Sequence, residues 1–221
     1  MTRIFEIWDG ILIQLYNICE YIMYIAKYAK IHPILKKNIE LKNSHRGERC
    51  FVLLNGPSLN QHDLSQLRDE YVFVSNFFYR APLCSIVKPN MYCWLDSKRL
   101  SDKSVKDLIS EIRNACPESR LLLNFKAFKF LGEMDNINYV YPKNISNYFW
   151  TRNRLDSISS NYGTVAFLAI SAAIYMGFSD IFVLGLDFEP VGFTHFMNLG
   201  RDARNSMPGE KFNKVDVAGD Y

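Results

Sequence analysis

Several familiar signatures are missing from this chain of 221 residues. Neither the dinucleotide pattern G-x-G-x-x-G nor the P-loop G-x-x-x-x-G-K-[ST] occurs, which excludes the common glycine-rich phosphate loops. There is no D-x-D, no C-x-x-C and no H-E-x-x-H, so no metal held by those spacings is expected. The four histidines (His32, His45, His62, His195) are scattered. Cysteine is sparse and odd in number, with Cys19, Cys50, Cys84, Cys93 and Cys116; these read as reduced core residues of a cytosolic protein. Neither sign of charge dominates, and a net charge of +3 argues against a nucleic-acid partner. Long apolar runs are absent as well. The longest uncharged stretch of the N-terminal region, 10–19, falls far short of the roughly 18–20 residues that span a bilayer. Acidic residues inside that region and the lack of a small-residue cleavage site exclude a signal peptide.

What the chain does contain is 48% hydrophobic and 14% aromatic residues, a composition that builds a core. The pivotal stretch is 50–59. Its first half is an apolar run suited to one buried strand of a parallel sheet, and Asn55-Gly56-Pro57 then breaks it. Gly56 can adopt angles closed to other residues and let a ligand approach the main chain, and Ser58 is placed to cap a short helix. A buried strand, a glycine turn and a helix start is how α/β folds bind phosphate through free N–H groups and the helix dipole.

From residue 49 onward strands and helices alternate. Strands are predicted at 71–75, 91–95, 121–124, 139–141 and 181–187, with helices at 63–69, 104–116 and 164–176, the last stopped by Gly177. Asn55, Asn76, Asp96 and Asp187 all fall at strand carboxyl ends. In an open parallel sheet those ends share one edge, so together they predict a binding crevice. The polar, aromatic segment 144–160 reads as a mobile loop or lid.

Ahead of this lies an amphipathic stretch. Ile4, Ile7, Trp8, Ile11, Leu15, Ile18, Ile22, Ile25 and Ala29 recur at the three-and-four spacing of one helix face, and Glu6, Asp9, Gln14, Asn17, Glu20 and Lys27 fall opposite. Seven basic residues between 27 and 49 meet two acids. This region predicts a helix lying in a membrane interface, packed on its own domain, or forming an oligomer contact. Pro33 is expected to bend or end the helix, and 42–48 to be a linker. The chain thus divides into an N-terminal helix and basic linker, 1–48, and a Rossmann-like domain of mostly parallel open sheet with flanking helices, 49–221.

The motifs Asn55-Gly56-Pro57-Ser58-Leu59, Ser75-Asn76-Phe77-Phe78-Tyr79, Gly163-Thr164-Val165-Ala166 and the run from Gly177 through Gly185-Leu186-Asp187-Phe188 resemble the bacterial sialyltransferases of glycosyltransferase family 42. They are at least as similar to the related broad family named after archaeal 6-hydroxymethylpterin diphosphokinase, over about residues 49–190. The resemblance implies a nucleotide-sugar donor of the cytidine monophosphate sialic acid type, a glycan acceptor, inverting transfer and no required metal, in bacterial surface-polysaccharide synthesis. By position, Asn55, Gly56, Pro57 and Ser58 would hold the phosphate, while Asn76, Asp96 and Asp187 would line the donor site. Ser160, Asn161 and Gly163 would meet the nucleotide. His195 is the candidate base, although it comes earlier than the family's histidine, and Glu189-Pro190 stands where the family has a tyrosine. The families also continue beyond the point where this chain stops, so 49–221 could be C-terminally truncated. Two alternatives stay open: a pyrophosphokinase using ATP and a pterin alcohol, with Mg²⁺ held by Asp96 and Asp187, and a noncatalytic nucleotide-binding scaffold. A cytoplasmic location is expected, with peripheral contact to the inner membrane face through residues 1–49.

Overall fold

The computed structural model describes residues 2–143, 154–160 and 162–187. A helix, α1 (Thr2–Lys36), leads into the strands β1 (Arg49–Leu53) and β2 (Tyr71–Ser75). There follow α2 (Leu83–Val87), β3 (Met91–Trp94), α3 (Val105–Ala115), β4 (Arg120–Asn124), α4 (Phe128–Leu131) and β5 (Ile137–Lys143). The described chain closes with β6 (Ile158–Ser160), α5 (Val165–Met176) and β7 (Asp180–Leu184). The strands form one seven-stranded sheet in the order β6-β5-β4-β3-β2-β1-β7. Every pairing is parallel, with Val52 opposite Phe73 and Leu53 opposite Leu184. This is the expected α/β, Rossmann-like arrangement.

The strands read as continuous apolar runs because both sheet faces are covered. Successive side chains point to opposite faces, so Val72, Val74, Tyr92, Trp94, Leu121 and Leu123 enter one core with α2, α3 and the end of α1. Phe73, Met91, Cys93 and Leu122 enter the other, against Leu168, Ala169, Ala172 and Ala173 of α5. The small residues of α5 let the helix lie close to the sheet. Thr164 caps it by accepting from the Phe167 N–H, and Gly177 ends it at φ +89°.

Four expectations are corrected. Pro33 lies inside α1, which runs on to Lys36. Ile31, Ile34 and Leu35, around that proline, are buried in the sheet's own core, and their burial outweighs the lost helix bond. The segment 42–48 is not a free linker: the N–H groups of Asn43, His45 and Gly47 donate to the carbonyls of Tyr175, Met176 and Gly177. Part of the expected lid is core, since β6 pairs with β5 and Leu155 is fully buried; its short length and polar neighbours hid it. Finally, Cys84 and Cys116 form a disulfide joining α2 to the end of α3, with Cα atoms 5.9 Å apart. Only Cys19, Cys50 and Cys93 are free.

Among the described residues no helix is long and apolar enough to cross a membrane. Among the described side chains, the predicted apolar face of α1 does not pack on the domain. Trp8, Ile11, Leu15, Ile18, Ile22 and Ile25 are each 45–59% exposed, whereas Asn17 and Glu20 on the polar side are buried.

Candidate functional site

Because all strands are parallel, Asn55, Asn76, Asp96, Asn124 and Asp187 follow strand ends on one edge of the sheet. The chain reverses its winding between β1 and β7, and there the two turns interlock. The Gly56 N–H donates to the Gly185 carbonyl at 3.0 Å. The Asp187 carboxylate accepts from the Ser58 N–H at 2.7 Å and from the Ser58 hydroxyl at 2.6 Å. Gly56 has an ordinary φ of −73°. It is glycine because a Cβ would lie 2.3 Å from Asp187 Oδ2 and 2.5 Å from the Gly185 oxygen. Gly185, at φ +71°, does need its conformational freedom.

This alters the expected phosphate cradle. What approaches Gly56 is the chain's own β7 turn, and the anion at the Ser58 donors is the Asp187 carboxylate. Ser58 does not cap a helix either: Gly56 precedes the short 3₁₀ turn Pro57–Gln61, with Pro57 at its first position. Asn55 is a strap between strands, its Nδ2 donating to the Ser75 carbonyl at 3.2 Å. Its buried Oδ1 has no partner among the described residues. Asp187 and Ser58 satisfy each other and leave little for a metal or a phosphate.

A crevice of about 830 Å³ opens further along the same edge, over β2 to β5. It brings together Asn76, Asp96 and Gly163 of the predicted set with Lys27, Asn124, Phe125, Lys126, Tyr141 and Thr164, which sequence reasoning did not assign to a site. Asn76 sits at φ +51°, a left-handed conformation that asparagine tolerates. The Tyr92 hydroxyl holds that turn, donating to the Asn76 carbonyl and accepting from the Tyr79 N–H. Burial raises the Tyr92 pKa well above its ordinary value, so the phenol stays protonated and donates. The Asn76 side chain makes no hydrogen bond among the described residues. Asp96 is exposed and spends one oxygen on the Lys98 N–H at 2.9 Å. Asn124 is structural: its Nδ2 donates to the Leu95 carbonyl and its Oδ1 accepts from the Lys126 N–H.

The electrostatics favour an anion. The N-terminus of α5 opens into the crevice through Gly163, Thr164 and Val165, and Lys27 and Lys126 add cations against one carboxylate, Asp96, among the described residues. Gly163 has φ +68° and no atom within 4 Å of a would-be Cβ, so open space adjoins its backbone. Phe125 and Tyr141, ring centroids 5.4 Å apart and tilted 75°, give an aromatic wall. The polar end of β4 follows the same rule as the other strand ends and could have been found from it. Lys27 could not, because only packing brings α1 to β5.

Ser160 ends β6, its backbone opposite Lys143. Asn161 and His195 lie outside the described residues. Arg154 is engaged with Asp156, with Nε to Oδ1 at 3.2 Å. Among the described residues no cluster of three or more His, Cys, Asp or Glu could hold a metal ion.

Compared with curated proteins, the chain has no significant sequence match. Among solved structures it is similar to the sialyltransferase CstII from Campylobacter jejuni, determined in complex with a substrate analogue, cytidine-5'-monophosphate. The TM-score is 0.43 and the identity 18%, over 68% of this chain and 66% of that one. It is also similar to the MAf glycosyltransferase from Magnetospirillum magneticum AMB-1, with a TM-score of 0.45 and 13% identity, over 73% of this chain and 29% of that one. The chain therefore spans just under two thirds of the first neighbour's length and less than a third of the second's. The family model described as 6-hydroxymethylpterin diphosphokinase MptE-like matches residues 21–191, from the middle of α1 past the end of β7. A match over most of the chain assigns it, and the chain belongs to the 6-hydroxymethylpterin diphosphokinase MptE-like family.

Proposed function

We propose that the chain is a transferase that binds a nucleotide-activated sugar in the crevice over β2 to β5, with a cytidine monophosphate sialic acid type donor and inverting transfer to a glycan acceptor. The observation that carries this reading is the convergence of the α5 N-terminus, Lys27 and Lys126 on one crevice that also has an aromatic wall. Such a site suits phosphate oxygens at one end and a flat ring at the other. In it the Asn76 amide contacts the donor, and Gly163 and Thr164 lie against the phosphate, which becomes the leaving group. Stabilising charge on that leaving group is the largest service such a site performs. We assign the base that takes the acceptor proton to His195. The setting we propose is bacterial surface-polysaccharide synthesis on the cytoplasmic side.

The family's name favours a second reading, transfer of pyrophosphate from ATP to a pterin alcohol. That chemistry needs Mg²⁺ bridging the phosphates and carboxylates to hold it. Asp96 is the one carboxylate lining the crevice among the described residues, and Asp187 is taken by Ser58. This donor set suits the metal-free reading better.

Calorimetry with cytidine, uridine, guanosine and adenosine nucleotides, each with and without Mg²⁺, separates the two. Metal-independent binding of a cytidine nucleotide, weakened about tenfold or more by Lys126→Ala, is the expected result. ATP binding that requires Mg²⁺ and disappears in Asp96→Asn would replace it with the pyrophosphokinase. Tight binding without turnover of any donor would make the chain a nucleotide-binding scaffold.

A further inference from the structure

An unusual feature of α1 is which side it turns outward. In a helix on a water-facing surface the polar side meets solvent and the apolar side meets the core. Here Asn17 and Glu20 are buried while Trp8, Ile11, Leu15, Ile18, Ile22 and Ile25 face out. Lys27 lines the crevice at the carboxyl edge of the sheet, and Ile31, Ile34, Leu35 and Asn38 pack beside the core and β5. At about 1.5 Å per residue the helix therefore carries Trp8 roughly 28 Å beyond Lys27, past the ligand-binding edge. With Ile13 and Tyr21 also exposed, the outward apolar positions spread over more than half the helix circumference, much wider than the narrow seam with which a helix meets one partner helix.

Charge indicates the occupant. Lys36 continues the row of Ile11, Ile18, Ile22 and Ile25, and Lys30 continues the row of Leu12, Cys19 and Met23, so both cations stand at the end of the apolar arc. Both are exposed, and neither has an ion-pair partner among the described residues. Lys37 and Arg49, by contrast, are paired with Glu133 and Glu70. A broad apolar face bearing Trp8 and Tyr16, with unpaired lysines at its end, matches an interfacial helix on an anionic bilayer.

We propose that α1 docks this protein on an anionic lipid surface, its Trp8 to Ile25 face lying in the headgroup boundary and Lys30 and Lys36 on lipid phosphates. Docking holds the crevice mouth close to the membrane plane, and it does not depend on the transferase reading. Cys19 is exposed on this face while Cys50 and Cys93 are buried, which gives a natural labelling position.

The full chain is labelled at Cys19 with a solvatochromic maleimide and mixed with vesicles of phosphatidylcholine, or of equal parts phosphatidylcholine and phosphatidylglycerol. Unlabelled protein is co-sedimented in parallel. The expected result is a blue shift and co-sedimentation with the anionic vesicles, reversed in part by salt. Lys30→Gln and Lys36→Gln should each weaken binding about fivefold. Ile18→Asp with Ile22→Asp should abolish it, with thermal unfolding confirming that the variant is folded. Failure to bind either vesicle overturns the proposal. So does a blue shift without lipid accompanied by a dimeric mass in sedimentation, because a second copy would then cover the face.

Discussion

A Cβ on Gly56 would lie 2.3 Å from Asp187 Oδ2 and 2.5 Å from the Gly185 carbonyl, far inside contact distance. Gly56→Ala is therefore expected to cost about 1–3 kcal/mol in chemical denaturation, as overpacking does. Adding Asp187→Ala should recover only part of that loss, because the Gly185 oxygen stays in place, and a double-mutant cycle measures the coupling. Asp156 carries a different kind of prediction. Hydrogen bonds from the Arg154 guanidinium hold its carboxyl below the usual carboxylate range. A lowered folded-state pKa means that the pair's stabilisation is fully present above the unfolded value, about pH 4, and is lost as pH falls through the folded one. Asp156→Asn should thus destabilise at neutral pH, and denaturation curves should show its deficit against the parent shrinking on acidification below about pH 4. A deficit that does not change with pH would show that packing, not the charge, sets the effect.

Among the elements, α1 is divided in function. Its last turns are core: Leu35 is fully buried, and the Asn38 side chain just beyond donates to the carbonyls of Tyr139 and Leu155 at 2.7 and 2.6 Å and accepts from Asn138. Its earlier turns face outward. Leu35→Ala is expected to cost about 2–5 kcal/mol, as a buried leucine truncation does, whereas Trp8→Ala should stay within about 0.5 kcal/mol in lipid-free buffer. Equal effects in thermal or urea unfolding would contradict this division. The stretch 37–49 is tied down in the same way, through Lys37 to Glu133 at 2.7 Å and through Arg49 to Glu70.

In the molecule as a whole, the cysteines report on core and covalent frame together. Burial pushes the Cys50 thiol up to about 12 and raises Cys93 as well, so neither offers a thiolate at neutral pH. An alkylating reagent should modify Cys19 in the native chain, Cys50 and Cys93 after unfolding, and Cys84 and Cys116 only after reduction. Mass spectrometry of the labelled peptides reads this order, and labelling of Cys84 or Cys116 without reductant would contradict the disulfide. The disulfide joins α2 to the end of α3, a sequence separation of 32 residues, and restrains the unfolded chain as well as the folded one.

The strands other than β6, the parallel sheet and the bounds of α5 were legible in the linear chain because they rest on local chemistry: uninterrupted apolar runs for buried strands, Thr164 and Gly177 for a helix's two ends. That Asn76 and Asp96 come together was legible too, since both fall at strand ends, and both line the crevice. Other features depend on contacts between distant segments, which no local pattern specifies. Placing β7 beside β1 brings Asp187 onto Ser58, 129 residues away, and turns an expected phosphate cradle into an internal clasp. Packing α1 against β5 puts Lys27 in the crevice. The helix periodicity showed that α1 has two unlike faces; burial of Asn17 and Glu20 decides that the apolar one faces outward.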